Sequence, residues 1–263
     1  MGMFGNLFKS KNEIKEASYM NQRRNILGNG SSFQVQEAYK ALRTNIRFSS
    51  SGNKFCVTSG LVSEGKSITA LNIAISFAEA GQKVLLIDAD LRRPSQARLL
   101  IENGAPGLSN VLAGLCDDET AIRKEQMNNL DVMFSGEIPP NPSELLSSPA
   151  MEDMLKRLES KYDYIFIDTP PVNIVTDACV VGRLMDGVLF VVRQNQTDRE
   201  SVKHGVAQLN MAGVKILGFV FNGADVKNNR KYKRYKYYKS KIYGYQSYRH
   251  SVDEKGRGSV DKK

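Results

Sequence analysis

Residues 54–67 read KFCVTSGLVSEGKS, and no other stretch limits the fold of this chain so tightly. The apolar run around Phe55 and Val57 predicts a buried strand. It breaks at Ser59-Gly60 into a loop that fits G-x-x-x-x-G-K-[ST], with Gly60, Gly65, Lys66 and Ser67 in the four fixed places. The pattern from Leu71 to Ala78 then predicts a helix, stopped by Gly81. Strand, glycine loop and helix in that order are the context in which the motif carries meaning. Glycines allow backbone N–H groups to turn inward around phosphate oxygens, and the helix N-terminus adds its positive dipole end. Lys66 is expected to reach the β- and γ-phosphates of a nucleotide, and the Ser67 hydroxyl to take one place on Mg²⁺. Glu64 and Ile68 beside them, and Asn222 at the end of the last predicted strand, complete the expected nucleotide-binding set. An ordinary strand-to-helix turn leaves a lysine aimed into the loop unexplained.

The rest of the chain alternates in the same way. Residues 83–90, KVLLIDAD, predict a central parallel strand with Asp88 and Asp90 at its carboxyl end, followed by Arg92-Arg93-Pro94. Residues 163–168, DYIFID, predict another strand ending in Asp168 and closed by Thr169-Pro170-Pro171. Further strands are expected at Leu130–Phe134, Gly187–Val192 and Ile216–Phe221, with helices over Val35–Ser49, Ser148–Lys161, from Thr176 to Gly182 or Gly187, and Asp198–Met211. Residues 95–150 form an excursion with short helices near Leu99 and at Leu108–Leu112. Strands alternating with helices imply a doubly wound, mostly parallel α/β sheet. Ligands bind beyond the carboxyl ends of such strands, so Asp88 and Asp90 are expected to face the phosphate loop.

Charge divides the chain further. Residues 227–263 hold thirteen lysines and arginines against three acids, which makes this tail +10 and leaves about −1 of the total +9 for everything before it. The tail also holds Tyr232, Tyr235, Tyr237, Tyr238, Tyr243, Tyr245 and Tyr248, seven of the eleven tyrosines, and almost no aliphatic residues. Such a segment cannot bury enough apolar area to fold alone. We therefore expect a flexible segment over 1–30, one phosphate-loop domain over 31–226, and a disordered basic, tyrosine-rich tail over 227–263. Basic residues alternating with aromatics suit single-stranded nucleic acid, yet every aromatic here carries a phenolic hydroxyl, which suggests that the hydroxyl is used. The isolated cysteines (Cys56, Cys116, Cys179) and histidines (His204, His250) argue against a zinc site and against disulfides. No apolar run approaches the roughly 18 residues of a membrane span, and the first residues lack the apolar core of a signal peptide.

Phosphoryl transfer needs a phosphate cradle, a divalent metal and a group to orient the attacking oxygen. Residues 60–67 supply the cradle, and Asp168 matches the Walker B position that holds Mg²⁺. Asp88 is assigned first to accept the proton of an incoming hydroxyl, although Asp88 as well as Asp90 is a candidate for the metal shell. Arg92 would offset charge developing on the transferring group. An ion pair between Asp90 and Arg92 at the surface is the plainer reading of those two residues. The chain shows no H-R-D or D-F-G motif of the common protein-kinase fold.

GLVSEGKS (60–67), VLLIDADLRRP (84–94) and IFIDTPP (165–171), followed by a tyrosine cluster, resemble the bacterial tyrosine kinases of capsular and exopolysaccharide synthesis. The second string is similar to that family's Walker A′ motif, carried here by Asp88, Asp90 and Arg92. The resemblance implies autophosphorylation of the terminal tyrosines in trans with ATP and Mg²⁺. It also implies control of polysaccharide chain length and export, a cytoplasmic location at the inner face of the membrane, a membrane protein whose cytoplasmic end activates the kinase, and a cognate tyrosine phosphatase. The family's subunit-contact motif, E-x-x-R-x-x-R, reads Glu37, Lys40, Arg43 here, and lysine does not reproduce a bidentate arginine contact. The loop ends in Ser67-Ile68, where the family commonly has a second hydroxyl residue. Specific nucleic-acid binding is not expected. Two other readings stay open. One is a switch ATPase of the ParA/MinD type, against which stands Leu61 in the place of that group's signature lysine. The other is a nucleotide-dependent scaffold docked through its basic tail.

Overall fold

The computed structural model describes residues 23–28 and 30–224. The expected flexible residues before Arg23 and the tyrosine-rich tail, with all seven of its tyrosines, lie outside the described residues. A compact unit ends at Asn222.

Helix α1 (Phe33–Ser49) leads into strand β1 (Lys54–Ser59), helix α2 (Lys66–Ala78) and strand β2 (Val84–Asp88). The excursion follows as α3 (Gln96–Leu100), α4 (Leu108–Leu112), α5 (Asp118–Ala121), β3 (Ile122–Met127), β4 (Leu130–Met133) and α6 (Pro142–Leu146). The unit closes with α7 (Pro149–Glu159), β5 (Tyr164–Asp168), α8 (Asp177–Gly182), β6 (Gly187–Arg193), α9 (Arg199–Met211) and β7 (Ile216–Asn222). The sheet order is β3-β4-β2-β5-β1-β6-β7. Every pairing is parallel except β3 with β4, so the doubly wound, mostly parallel sheet is present.

Strands β1, β2 and β5 are buried almost throughout, and largely apolar, because both faces of the sheet are covered. Their side chains alternate between two cores. Cys56, Leu85, Ile87, Ile165 and Ile167 join one, with Met151, Met154, Leu155 and Leu158 of α7 and Leu209 of α9. Phe55, Val57, Val84, Leu86 and Phe166 join the other, under α2 and Ile46 of α1. There Phe77 meets the Phe166 ring edge-on, with centroids 5.1 Å apart. A two-residue side-chain period feeding two helical layers is what fixes the register of the central strands. In that register Asp88 lies opposite Asp168, so two of the expected site acids end neighbouring strands at one level.

Strand β3 was not expected. Its sequence, IRKEQM, is polar because it is an antiparallel edge strand with a register shift, so the apolar signal of the inner strands is missing. A second difference lies at residues 23–28, inside the segment expected to be flexible. Leu27 is buried, its N–H donates to Asn72 Oδ1 at 2.8 Å, and Asn72 Nδ2 donates to the Asn25 carbonyl at 2.8 Å. One asparagine on α2 thus ties two backbone groups of that turn, the Leu27 N–H and the Asn25 carbonyl, to the sheet-covering helix.

Candidate active site

The loop between β1 and α2 holds its shape through its own side chains. Gly65 has φ +85°, a left-handed conformation that favours glycine, and a Cβ there would overlap Asn222 Nδ2. Asn222 Nδ2 donates to the Glu64 carbonyl at 2.9 Å, so the end of β7 rests on the turn of the loop. Glu64 is fully buried. Its Oε2 accepts from the Leu61 N–H at 2.8 Å, and its Oε1 accepts from the Thr197 hydroxyl. Arg193 Nη1 donates to the Ser63 carbonyl at 3.1 Å, and Gln196 Nε2 to the Val62 carbonyl at 3.3 Å. The connection from β6 to α9 therefore straps the outside of the loop. Gly60 sits close to Asn173 and the Ser201 carbonyl, and Ile68 packs against the core beneath the loop.

Lys66, on the first turn of α2, turns back toward the sheet. Its Nζ lies 2.8 Å from Asp90 Oδ2, 3.4 Å from Asp168 Oδ1 and 3.2 Å from Ser67 Oγ. Burial alone would lower its pKa, but the Asp168 and Asp90 carboxylates outweigh that and hold the ammonium firmly charged. Gln96, on the first turn of α3, joins the same cluster. Its Nε2 donates to the Ser67 carbonyl and to Asp168 Oδ2, both at 3.0 Å.

Asp88 is fully buried and organises the turn that follows it. Its Oδ1 accepts from the Asp90 N–H at 3.1 Å, and its Oδ2 from the Ser95 and Gln96 N–H groups, each at 3.0 Å. Burial, then the neighbouring Asp168 charge, pushes its carboxyl up to about 7, against the opposing pull of those N–H bonds and Lys66. Asp168 is also raised, by burial above all, with Lys66 opposing. Asp90 turns its second oxygen to the Arg93 N–H at 2.9 Å.

Arg92 pairs with a different acid. Its Nε and Nη2 bind Asp177 at 2.9 and 3.3 Å, and Nη2 also donates to Ser143 Oγ at 2.8 Å. Asp177, the first residue of α8, is fully buried and also accepts from Ser143 Oγ at 2.5 Å. The surface pair of Asp90 with Arg92, weighed from sequence, is thus replaced by two separate pairs, Asp90 with Lys66 and Arg92 with Asp177. On α1, Lys40 pairs with Glu37 of its own helix at 3.1 Å, and Arg43 donates to the carbonyl and hydroxyl of Ser76 on α2.

Lys66, Ser67, Asp88, Asp90 and Asp168 are therefore brought together, with Glu64, Gly65 and Asn222 shaping the loop. Gln96, Thr197, Asp177 and Ser143 were not singled out from sequence. Only Gln96 carried a signal, as a polar residue at the start of a helix directly after the aspartate turn.

A family described as an AAA domain matches residues 60–212, more than half of the chain. The putative tyrosine-protein kinase CapB of Staphylococcus aureus is 37% identical over 207 residues, covering 78% of this chain and 90% of that protein. Tyrosine-protein kinase YwqD of Bacillus subtilis is 39% identical over 208 residues, covering 78% and 86%. The chain belongs to the bacterial tyrosine kinases. Among solved structures, this tyrosine kinase is similar to the kinase domain of the Escherichia coli tyrosine kinase ETK. The two share 36% identity with a TM-score of 0.70, over 72% of this chain and 76% of that one. The cell-division ATPase MinD of Pyrococcus furiosus is more distant, at 28% identity and a TM-score of 0.56, over 66% and 74%. The kinase is a P-loop protein with a nucleotide-binding loop, and no helix among its described residues is long and apolar enough to cross a membrane.

Proposed function

We propose that this kinase uses ATP and Mg²⁺ to phosphorylate its own C-terminal tyrosines in trans, and so regulates capsular or exopolysaccharide synthesis and export. The observation that carries the reading is Lys66 held between Asp90 and Asp168, beside Ser67 and at the mouth of the glycine loop. A lysine clamped by two acids can exchange one partner for a phosphate, leaving carboxylate oxygen for a cation.

The donor set suits magnesium bound together with phosphates. Ser67 Oγ, Asp90 and Asp168 are hard oxygen ligands, and among the described residues no group of three or more His, Cys, Asp or Glu is gathered to hold an ion without them. Magnesium is commonly held by one or two carboxylates plus the phosphates rather than by a protein cage. Once bound, it would neutralise phosphate charge. The chain's own groups do the rest. Backbone N–H groups of the loop hold the phosphates, and Lys66 steadies the β- and γ-oxygens. Asp88 takes the tyrosine proton directly or through one water, a task suited to a carboxyl raised toward neutrality. Oδ1 accepts one N–H bond and keeps a lone pair for that role. Arg92, fixed by Asp177, lends its remaining donors to the transferring group.

The phosphoacceptors are Tyr232, Tyr235, Tyr237, Tyr238, Tyr243, Tyr245 and Tyr248. Seven phosphates add about −10 to −14 charges, enough to cancel or invert the +10 tail. The unmodified tail occupies an acidic site mouth on a neighbouring subunit, and phosphorylation releases it. Subunits meet through the outer face of α1, where Glu37 and Lys40 pair and Phe48 is 87% exposed. A membrane activator recruits the kinase through its cytoplasmic end, and a tyrosine phosphatase resets it.

Intact mass after incubation with ATP, Mg²⁺ and the activator's cytoplasmic end tests the reading. Successive single-phosphate additions are expected, absent from Lys66→Met and from a variant with the seven tyrosines changed to phenylalanine. ATP hydrolysis without any gain in mass would refute it and favour a switch ATPase.

A further inference from the structure

Gln96 is fully buried at the junction of three parts of the site. Its backbone N–H donates to Asp88 Oδ2, and its side-chain Nε2 bridges the Ser67 carbonyl and Asp168 Oδ2. Both of those side-chain partners are pure acceptors, so the amide has only one chemically sensible orientation. That orientation leaves Oε1 buried with no hydrogen-bond partner among the described residues. Leaving such an acceptor unmet is costly in a packed interior, and each case calls for an explanation.

We propose that Gln96 is a positioning residue for the metal that accompanies the nucleotide. Its Nε2 fixes the rotamer of Asp168 and ties it to the first turn of α2, while its Oε1 accepts a hydrogen bond from a water on that metal. The inference rests on the reading of Asp168 as part of the magnesium site. Charge explains why an amide serves here. An arginine or lysine would neutralise Asp168 and compete with the cation, and a second carboxylate would repel Asp168 in the metal-free state. A glutamine orders the carboxylate and leaves its charge intact. Helices and strands of the same sheet then hold the outer support of the metal, since Gln96 is itself anchored by Asp88. This also gives the Asp88 carboxylate a part in placing the metal site, through the turn it caps.

The test is magnesium titration of the full chain, read by a fluorescent ADP analogue, for wild type and Gln96→Met. Methionine is unbranched and similar in length, but it has neither amide donor nor acceptor. Any loss of affinity for the analogue in EDTA should be small beside the change in metal dependence, the Mg²⁺ concentration for half-maximal tightening rising about tenfold or more. Equal Mg²⁺ half-saturation in the two proteins would overturn the inference, and so would an equal loss of affinity with and without metal, the mark of a purely structural role. If Mg²⁺ fails to tighten binding even in wild type, the magnesium reading itself falls and the inference with it. Should Gln96→Met not fold, Gln96→Asn, which keeps the amide but cannot reach both partners, is judged by the same criteria.

Discussion

Replacing Gly65 by alanine tests how the loop is built, because two separate costs meet at that residue. The first is conformational. At φ +85° a side chain suffers the left-handed penalty of about 1–2 kcal/mol. The second is contact. The new Cβ would overlap Asn222 Nδ2, which must then swing away and give up its 2.9 Å bond to the Glu64 carbonyl, worth about 1 kcal/mol. The expected loss is about 2–3 kcal/mol. The two costs separate in a double-mutant cycle. Asn222→Ala removes the obstruction and the bond together, so Gly65→Ala on that background should cost only the backbone penalty. The coupling should be about 1 kcal/mol, with the double variant less damaged than the sum of the singles. Urea unfolding of the four proteins without nucleotide measures it. A strictly additive cycle, or a Gly65→Ala cost within error of zero, would refute the claim that β7 supports the phosphate loop through this contact.

Two further outcomes follow from contacts near the site. Asp177→Asn keeps the shape of the buried side chain but turns one acceptor into a donor facing Arg92, so the guanidinium loses its bidentate hold. The turnover rate should fall about tenfold to a hundredfold, with nucleotide affinity unchanged, as steady-state kinetics beside equilibrium binding will show. Thr197→Val removes the hydroxyl that Glu64 accepts and leaves a buried carboxylate oxygen unmet, so nucleotide affinity should weaken about tenfold. An unaltered affinity would mean that the strap from β6 to α9 does not shape the loop.

The inner strands were legible because each is a short apolar run between a helix and a turn, and burial on both faces leaves no polar positions to blur the signal. The phosphate loop was legible because its glycines and lysine sit at fixed spacing. Strand β3 was not, since an edge strand needs no apolar run and IRKEQM reads as loop. Long-range polar partners were invisible for a different reason. Gln96 and Asp168 are separated by 72 residues, and Thr197 and Glu64 by 133, so nothing in local spacing joins them. Asp177 sits in the first turn of a helix, an ordinary place for an acid, and only the fold brings Arg92 and Ser143 to it.

Strand register explains why this site carries more carboxylates than a simple nucleotide switch needs. Asp88 and Asp168 end adjacent parallel strands at one level, so sheet formation itself forces two acids together. Unpaired, two buried carboxylates side by side are unfavourable, and one must take up a proton. The chain answers with three devices of different kinds. Backbone N–H groups of the turn cap Asp88, the Gln96 amide steadies one oxygen of Asp168, and the Lys66 ammonium faces the other while also holding Asp90. Only the last of these is a mobile charge. When an anion draws Lys66 away, Asp168 and Asp90 lose their counter-ion while the fixed N–H and amide donors stay in place. On the proposed magnesium reading, the cost of that uncompensated charge is what a divalent cation would relieve. Phosphate and metal binding would then be coupled through a single lysine, with the surrounding donors keeping the carboxylates in position during the exchange.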